Sequence, residues 1–273
     1  MTGQYVRGHS KSARWSQRFG RIAVLVLIIA LVGRRFDYLT VPEFFAVYAL
    51  GCLVALCALT LAFWAIGSLW VSGHEGWSKM IWGGIYSSVV LLMPAIGLVA
   101  YFYYPVLNDV STDHRNPPVF QQAHSLVRDG ASNLDTQPGS VYAAQLKAFP
   151  DLVPRYLSFS PDEIYPIVHK LVTDYGWKVL STDVPRSPED PGHLELLAET
   201  LILRLPDVVI IRLEPDGENG TRMDARSASL YGKLDLGANA RRLRTLFHDL
   251  VEPIRRARVR QLNTPEPESI PVL

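Results

Sequence analysis

The chain has 273 residues, of which 48% are hydrophobic and 19% are charged, and its formal net charge is +1. No Asp, Glu, Lys or Arg occurs between Glu43 and His74, or between Lys79 and Asp109. Each gap exceeds the roughly 20 apolar residues that cross a bilayer, which excludes a purely soluble protein. The first 104 residues hold 8 of the 27 basic and 3 of the 26 acidic residues. A basic segment therefore precedes a mildly acidic one, and nucleic acid is not an indicated partner.

The basic segment, residues 1–104, is predicted to cross a membrane three times, over residues 18–36, 44–71 and 80–104. The second and third stretches are apolar around the whole helix. The first depends on the short uncharged run 22–33, whose flanking Arg21 and Arg34 can extend their guanidinium groups to the interface. We expect this run to span, while a signal-peptide core or an interfacial helix are the alternatives. The lipid bilayer is thus the first predicted partner.

Basic residues near the ends of the spans predict the orientation. Five of them precede the uncharged run 22–33 of the first span, whereas only Arg34 and Arg35 follow it before the second span, so the N-terminus is expected in the cytoplasm. Three crossings then place everything after Tyr104 on the outer side of a bacterial cytoplasmic (inner) membrane, in the periplasm. If the first run only lies on the surface, the same residues stay in the cytosol.

The three spans are predicted to anchor the protein in the membrane. The second and third contain no ionisable residue, which argues against an ion path or a proton relay. Gly83 and Gly84 indicate close packing or bending of the third helix, or association with another copy. Cys52 and Cys57, both in the second span, are predicted to be packing residues, because five residues of helix turn them about 140° apart.

The polar part is predicted to contain an irregular connector over residues 105–159, an α+β domain over 160–254 and a flexible tail over 255–273. Ser160 and Glu163 form a capping-box pattern that begins a helix. Four strands follow, over 177–184, 194–201, 208–213 and 221–230. A closing helix from about Ala238 carries its apolar residues on one face. The fold class is therefore α+β, with a mainly antiparallel four-stranded sheet covered on one face by two helices.

Two charged regions of this domain carry further expectations. Alternation along the last strand places Arg222, Asp224 and Arg226 on one face, which we expect to be solvated. Four arginines follow the closing helix, at positions 255, 256, 258 and 260. These arginines are predicted to be solvated. The alternative is that they bind anionic headgroups or an acidic partner.

The motifs of common enzymes are absent from the sequence: it contains no G-x-S-x-G, no Walker loop, no G-x-G-x-x-G and no H-E-x-x-H. The five His of the polar part are scattered without ligand spacing, so no metal site is predicted. No cofactor is predicted either.

The string 226–242, RSASLYGKLDLGANARR, resembles the signature of the family called domain of unknown function 1499. Further landmarks of the family resemble the segments 116–120, 149–152, 160–177 and 199–210. The resemblance covers about residues 108–254 and implies the fold and a multi-span N-terminal segment, but the family has no established activity. Ala228 and Leu230 stand where members often carry Arg, which weakens any role for a basic strand face.

The turn into the closing helix is the candidate site. Asp235 and Gly237 suit a strand-to-helix turn, with the carboxylate capping the helix amides. One interpretation is a structural corner tied by Asp–Arg pairing, and the other is a pocket for an anion or a lipid headgroup at the helix start. The ligand-binding candidates are Arg226, Ser227, Ser229, Asp235, Asn239, Arg241 and Arg242.

Two functions remain open from the sequence. The first is a non-catalytic envelope protein whose extracytoplasmic domain binds a protein partner or an amphiphile. The second is a membrane-bound hydrolase that uses the neighbourhood of Ser227, Ser229 and Asp235. A hydrolase needs a base within about 3 Å of its nucleophile inside a cleft, whereas a binding domain needs only a groove or an exposed apolar patch.

Overall fold

A computed structural model describes residues 8–127, 131–135, 139–217 and 219–263. These residues form two compact units. The first comprises the described residues up to Tyr103 together with Leu201–Arg204, and the second comprises the others. The finer division of the polar part into connector, domain and tail stays a prediction.

Three helices make up most of the first unit: α1 (Lys11–Arg35), α2 (Val41–Ser72) and α3 (Trp77–Tyr103). Each is long and apolar enough to cross a membrane. With its 25 residues, α1 is about 37 Å long, against a hydrocarbon core of about 30 Å. The short uncharged run therefore belongs to a helix of spanning length, and the predicted set of three apolar N-terminal helices is confirmed.

Glycines let α1 and α3 approach closely. A Cβ built on Gly20 would lie 3.0 Å from the carbonyl oxygen of Gly83. A Cβ built on Gly83 would lie 2.8 Å from the carbonyl carbon of Ser16 and 2.9 Å from the backbone nitrogen of Gln17. On Gly84, the same atom meets nothing within 4 Å among the described residues. Gly83 is therefore a packing residue inside this unit, and Gly84 is not.

The second unit is built on an antiparallel sheet. Its strands are β1 (Asp109–Ser111), β2 (Arg155–Leu157), β3 (Lys178–Asp183), β4 (Gly192–Glu199), β5 (Pro206–Pro215) and β6 (Thr221–Ser229). They lie in the order β1-β6-β5-β4-β3, and β2 also pairs with β6. The predicted four strands correspond to β3 to β6. We did not predict β1 and β2, because three residues are too few to show an alternating pattern, so the sheet has six strands.

Two helices cover one face of this sheet, as predicted: α5 (Pro161–Asp174) and α6 (Ala238–Asn263). The helix α4 (Gly139–Ala148) precedes them. Ile164 and Val168 of α5, and Leu243 and Leu246 of α6, are fully buried against residues of β4 to β6 such as Ile211. This is the main hydrophobic core, and the amphipathic pattern of α6 is the sequence feature that builds it.

The other face of the sheet is also covered, which corrects the expectation of a solvated face. Residues between β1 and α4 fold across it and form a second, smaller core with Val208, Ile210 and Ala228. Phe120 and Leu134 contribute to this core and are 1% exposed. Arg226 and Asp224 on this face are consequently fully buried. The covering residues are too widely spaced along the chain to form a periodic pattern.

The last helix is longer than expected. α6 continues to Asn263, through the four arginines that follow residue 254. Ile254 and Ala257 still pack against the main core, which explains why the helix persists there. Residues 264–273 of the predicted tail lie outside the described part of the chain.

Candidate functional site

The turn between β6 and α6 brings together most of the predicted site residues. Asp235 caps α6, because its Oδ1 accepts the Gly237 N–H at 2.8 Å and its Oδ2 accepts the Asn239 N–H at 2.7 Å. Leu236 and Gly237 have φ values of 55° and 74°, a backbone conformation that glycine adopts without strain. Burial raises the pKa of Asp235 and outweighs the two amides, which lower it.

Asn239 is the centre of what we call the asparagine cluster: Asp207, Ser227, Ser229, Asn239 and Arg242. The Asn239 side-chain nitrogen donates to the Asn108 carbonyl and to Ser229 Oγ, both at 3.0 Å. Its oxygen accepts Ser227 Oγ at 2.7 Å and Arg242 Nη1 at 2.6 Å. Both donors and both acceptor positions of this fully buried amide are thus used within the fold.

Arg242 closes the cluster on its outer side. Its Nη1 also donates to Ser227 Oγ at 2.9 Å, and its Nη2 pairs with the Asp207 carboxylate. The side chains of Arg242 and Asp207 are 13% and 6% exposed. Arg242 thus pairs with Asp207, and not with Asp235, whose carboxylate accepts the amides of the helix start. Whether these residues bind a ligand stays a prediction.

Ser227 and Ser229 are the candidate nucleophiles of the predicted hydrolase. Ser227 is fully buried and Ser229 is 8% exposed. The described side chains that hydrogen-bond to their hydroxyls are those of Asn239 and Arg242, neither of which can act as a general base. The carboxylate of Asp235 is occupied by helix amides. Acid–base chemistry at this place is therefore not supported by the geometry.

Arg226 lies apart from the cluster, on the opposite face of β6. Its Nε donates to the Asp109 carboxylate at 3.0 Å and its Nη2 donates to the same group at 2.7 Å. The remaining contacts reach the backbone carbonyls of Pro118, Leu134 and Asp135, each at 3.0 Å. Its guanidinium carbon also lies 4.7 Å from the centre of the Phe120 ring. Arg226 therefore holds the chain at Pro118 and at Leu134 against this face of the sheet.

Arg241, the last predicted site residue, is near the turn but exposed. Its Nη1 donates to the Leu236 carbonyl at 2.9 Å. The structure thus gathers Ser227, Ser229, Asp235, Asn239 and Arg242, with Arg241 beside them, and it separates Arg226 from them. Alternation along a strand predicts this separation. The sequence did not show that both faces would be buried.

A second polar network lies on the covered face, and we did not predict it. Asp113 Oδ2 accepts Arg222 Nη2 at 2.5 Å, while its Oδ1 accepts the backbone amides of Arg115 and Asn116. Burial raises the pKa of Asp113, but these hydrogen bonds outweigh it and the pKa is lowered. Burial also raises the pKa of Asp224, and there it prevails over Arg212 and Arg222. The network holds the segment after β1 against β5 and β6.

An open apolar groove lies at the sheet edge, between β2 and α6, and we call it the β2–α6 groove. Its cavity volume is about 430 Å³, within the range of about 300–1,000 Å³ that is typical of small-molecule sites. The lining residues are Arg155, Tyr156, Leu157, Met223, Arg244, Phe247, His248, Leu250, Val251 and Ile254. Tyr156 is 66% and Val251 57% exposed, so apolar surface in this groove is open to solvent.

Two arginines lie in the groove, and they differ in their contacts. Arg244 makes a bidentate ion pair with Asp151, with both N···O distances at 2.6 Å, and this pair lowers the pKa of Asp151. The Arg155 guanidinium lies 5.1 Å from the Phe247 ring centre. Arg155 is exposed, and its charge adds to that of Arg244 in lowering the pKa of Asp151. Because Arg244 is held in the bidentate pair, Arg155 is the cation that an anionic group could approach.

The groove could have been suspected from α6. Val251 belongs to the apolar pattern of this helix, yet the predicted four-stranded sheet has no strand to cover it. The described residues include no group of three or more His, Cys, Asp or Glu that could hold a metal ion.

Comparison with known protein families places the second unit in one of them. The family described as "Protein of unknown function (DUF1499)" matches residues 109–250, slightly more than half of the chain. The match runs from the first residue of β1 to Leu250 of α6, and it contains the asparagine cluster, Arg226 and Asp109. No curated protein and no solved structure matches the chain.

Proposed function

Since the chain belongs to the DUF1499 family, whose description assigns no activity, we propose from the geometry that it is a membrane-anchored protein whose second unit binds an amphiphile in the β2–α6 groove. The observation that carries this proposal is the groove itself. It combines an open apolar lining with an exposed arginine, Arg155. In the asparagine cluster, by contrast, the protein itself occupies the hydrogen-bonding groups of the Asn239 amide.

The location is part of the proposal. We place the three helices in a bacterial cytoplasmic (inner) membrane, with the N-terminus in the cytoplasm and the second unit in the periplasm. The basic residues up to Arg21, most of them in the N-terminal part of α1, and the odd number of helices support this orientation. A domain tethered to a bilayer meets amphiphiles at high local concentration, which suits a groove of this kind.

The chemistry of the groove favours a single-chain amphiphile with an anionic group. Phe247, Leu250 and Val251 can remove an alkyl chain from water at about 0.8 kcal/mol per buried CH₂. Arg155 can donate to a carboxylate or a phosphate, and such charge-assisted hydrogen bonds are the stronger kind. A protein segment that lies along the groove is the competing occupant.

Photo-crosslinking of the full-length protein tests this proposal. The protein is held in amphipol, so that no bilayer competes for the probe, and a diazirine-labelled fatty acid is added and irradiated. We expect crosslinks in the α6 peptide that contains Phe247 and Val251. Val251→Asp should reduce them about tenfold, because a carboxylate would then lie in the apolar groove.

The control is Val184→Asp, the same substitution in the loop after β3. Val184 is 57% exposed, as Val251 is, and it does not line the groove. It should leave crosslinking unchanged. Equal crosslinking in both variants and the unaltered protein, or crosslinks spread over the surface, would reject the groove as the site. An excess of unlabelled fatty acid should compete, whereas a neutral long-chain alcohol should compete less.

Hydrolysis remains a second candidate function because of one arrangement away from the predicted cluster. His193 Nδ1 lies 2.9 Å from Asp183 Oδ2, and His193 Nε2 lies 3.4 Å from Ser181 Oγ. This is the order of groups that activates a serine, and such hydrogen bonds often tighten only with substrate. The Asp183 side chain is 75% exposed, so water screens it, and we rank this function second.

A fluorophosphonate probe decides whether Ser181 is a nucleophile. An activated Ser181 would be labelled in the full-length protein, and Ser181→Ala and His193→Ala would both abolish labelling. Thr182→Ala, at the next residue of the same strand, is the matched control. A protein that stays unlabelled, or is labelled equally in Ser181→Ala, has no serine hydrolase site at this position.

A further inference from the structure

The end of α6 has two sides with different surroundings. On one side, Ile254 and Ala257 pack against the main core, and Gln261 donates to Glu163 of the α5 helix at 2.7 Å. On the other side, Val259 and Leu262 are 51% and 78% exposed. The end of α6 is therefore fixed to the domain on one side, while apolar side chains on its other side are exposed to solvent.

These exposed residues share one face with two arginines. At 3.6 residues per turn, Arg255, Arg258, Val259 and Leu262 lie within roughly 100° of the helix circumference, and all four are exposed. We call these four residues the C-terminal stripe. Two apolar side chains flanked by arginines on one face are typical of a helix that lies at a membrane interface.

The charge of this segment points to an anionic surface. Residues 252–263 contain four arginines and one acidic residue, Glu252. Glu252 pairs with Arg255 at 2.7 Å, with both side chains more than half exposed, and pairs of this kind add little to stability because water screens them. The net charge of the segment is +3, although the residues after Tyr104 carry more acidic than basic groups.

We infer that the C-terminal stripe lies on the surface of an anionic bilayer. Three helices able to cross a membrane belong to the same chain, so the second unit is tethered to a bilayer. Lipid headgroups provide the negative charge that Arg255 and Arg258 match. The acyl boundary below the headgroups provides the apolar contact that Val259 and Leu262 lack. This surface differs from the β2–α6 groove, which contains none of the four residues.

The experiment uses the full chain in nanodiscs, with Cys52 and Cys57 replaced by Ala. Val259→Cys carries an environment-sensitive fluorophore, and some of the lipids carry a spin label in the acyl chain that quenches it. Val184→Cys, at a residue that is 57% exposed on the turn after β3, is the control site. We expect at least twofold stronger quenching at position 259 in phosphatidylglycerol than in phosphatidylcholine, and no such difference at position 184.

Charge reversal tests whether the arginines cause the contact. Arg255→Glu with Arg258→Glu should bring quenching at position 259 in phosphatidylglycerol down to the level in phosphatidylcholine. High salt should act in the same direction. Crosslinking of the fatty-acid probe in the groove should survive the charge reversal, which shows that the second unit is folded and separates this inference from the proposed function.

Three results would overturn the inference. One is quenching at position 259 that is as weak as at position 184 in both lipids. Another is quenching that is equal in both lipids, which would mean contact without anionic headgroups. The third is quenching that persists after charge reversal. An acidic protein as the true partner would produce the first of these results.

Discussion

The asparagine cluster and the β2–α6 groove lie in the same unit, but their side chains have opposite surroundings: protein in the cluster and solvent in the groove. In the cluster, each polar atom of Asn239 is hydrogen-bonded to the protein. In the groove, apolar side chains such as Tyr156 and Val251 remain in solvent. A dense set of polar residues in the sequence thus marks a place where the fold is held together, and the open surface lies where the sequence shows no polar motif.

The buried Arg226 provides the strongest test of this contrast. Arg226→Met would leave the Asp109 carboxylate, 3% exposed, without its cation, and should lower the free energy of unfolding by about 3–5 kcal/mol. Pulse proteolysis in urea, which follows the second unit of the full-length protein, measures it. The double variant with Asp109→Leu should recover much of the loss. A change below about 1 kcal/mol in the single variant would contradict the structural role.

Substitution of Asn239 should give the next largest loss in the free energy of unfolding. Asn239→Ala removes four hydrogen bonds and leaves the Asn108 carbonyl and two serine hydroxyls without this partner. We expect a loss of about 2–3 kcal/mol in the same assay. Arg241→Ala, at the residue next to the cluster member Arg242 but exposed, should change stability by less than about 0.5 kcal/mol. Equal effects of the two substitutions would mean that the cluster does not stabilise the fold.

Gly83 and Gly84, which are adjacent in the first unit, allow the same comparison between a tightly packed position and an open one. Gly83→Ala forces a methyl group against the backbone of α1 and should destabilise the purified protein in detergent by about 1–3 kcal/mol. Gly84→Ala adds the same methyl group in open space and should have an effect near zero. Thermal unfolding of the two variants measures the difference. If Gly84→Ala were the more harmful, Gly84 would face another copy of the chain.

Asp113 allows a test through pH. Its pKa is lowered below the usual 3.8 by hydrogen bonds from the Asn116 amide and from Arg222, against the effect of burial. A lowered pKa stabilises the fold above the unfolded-state value, and this contribution is lost as the pH falls through the folded-state pKa. Below about pH 4, the stability of the unaltered protein should therefore fall more steeply than that of Asp113→Asn. Parallel curves would show that the network does not stabilise the ionised carboxylate.

Val251 should give a small effect on stability and a large one on binding. Because Val251 is 57% exposed, Val251→Asp should change the free energy of unfolding by less than about 0.5 kcal/mol. The same variant should lose most of its crosslinking to the fatty acid. A loss of stability of several kcal/mol would mean that this part of the groove is core and not a binding surface.

Local patterns in the sequence explain what could be predicted. The apolar residues of α6 recur with helical spacing, and Ser160 and Glu163 mark the start of α5 through contacts only three residues apart. β3 to β6 are long enough to show alternation and turn residues. The candidate site was found as a cluster because Ser227, Ser229, Asp235 and Asn239 are close in sequence. Their roles in binding remain untested.

The sequence by itself therefore determined the three apolar helices, the α+β class and the position of the turn between β6 and α6. These features depend on periodicity and on neighbours along the chain. Only the tertiary structure decided that β1 and β2 extend the sheet and that Arg226 is buried. It also decided that a groove opens beside α6. Arg226 meets Phe120 and Asp109 across more than a hundred residues, and no local pattern encodes a contact at that distance.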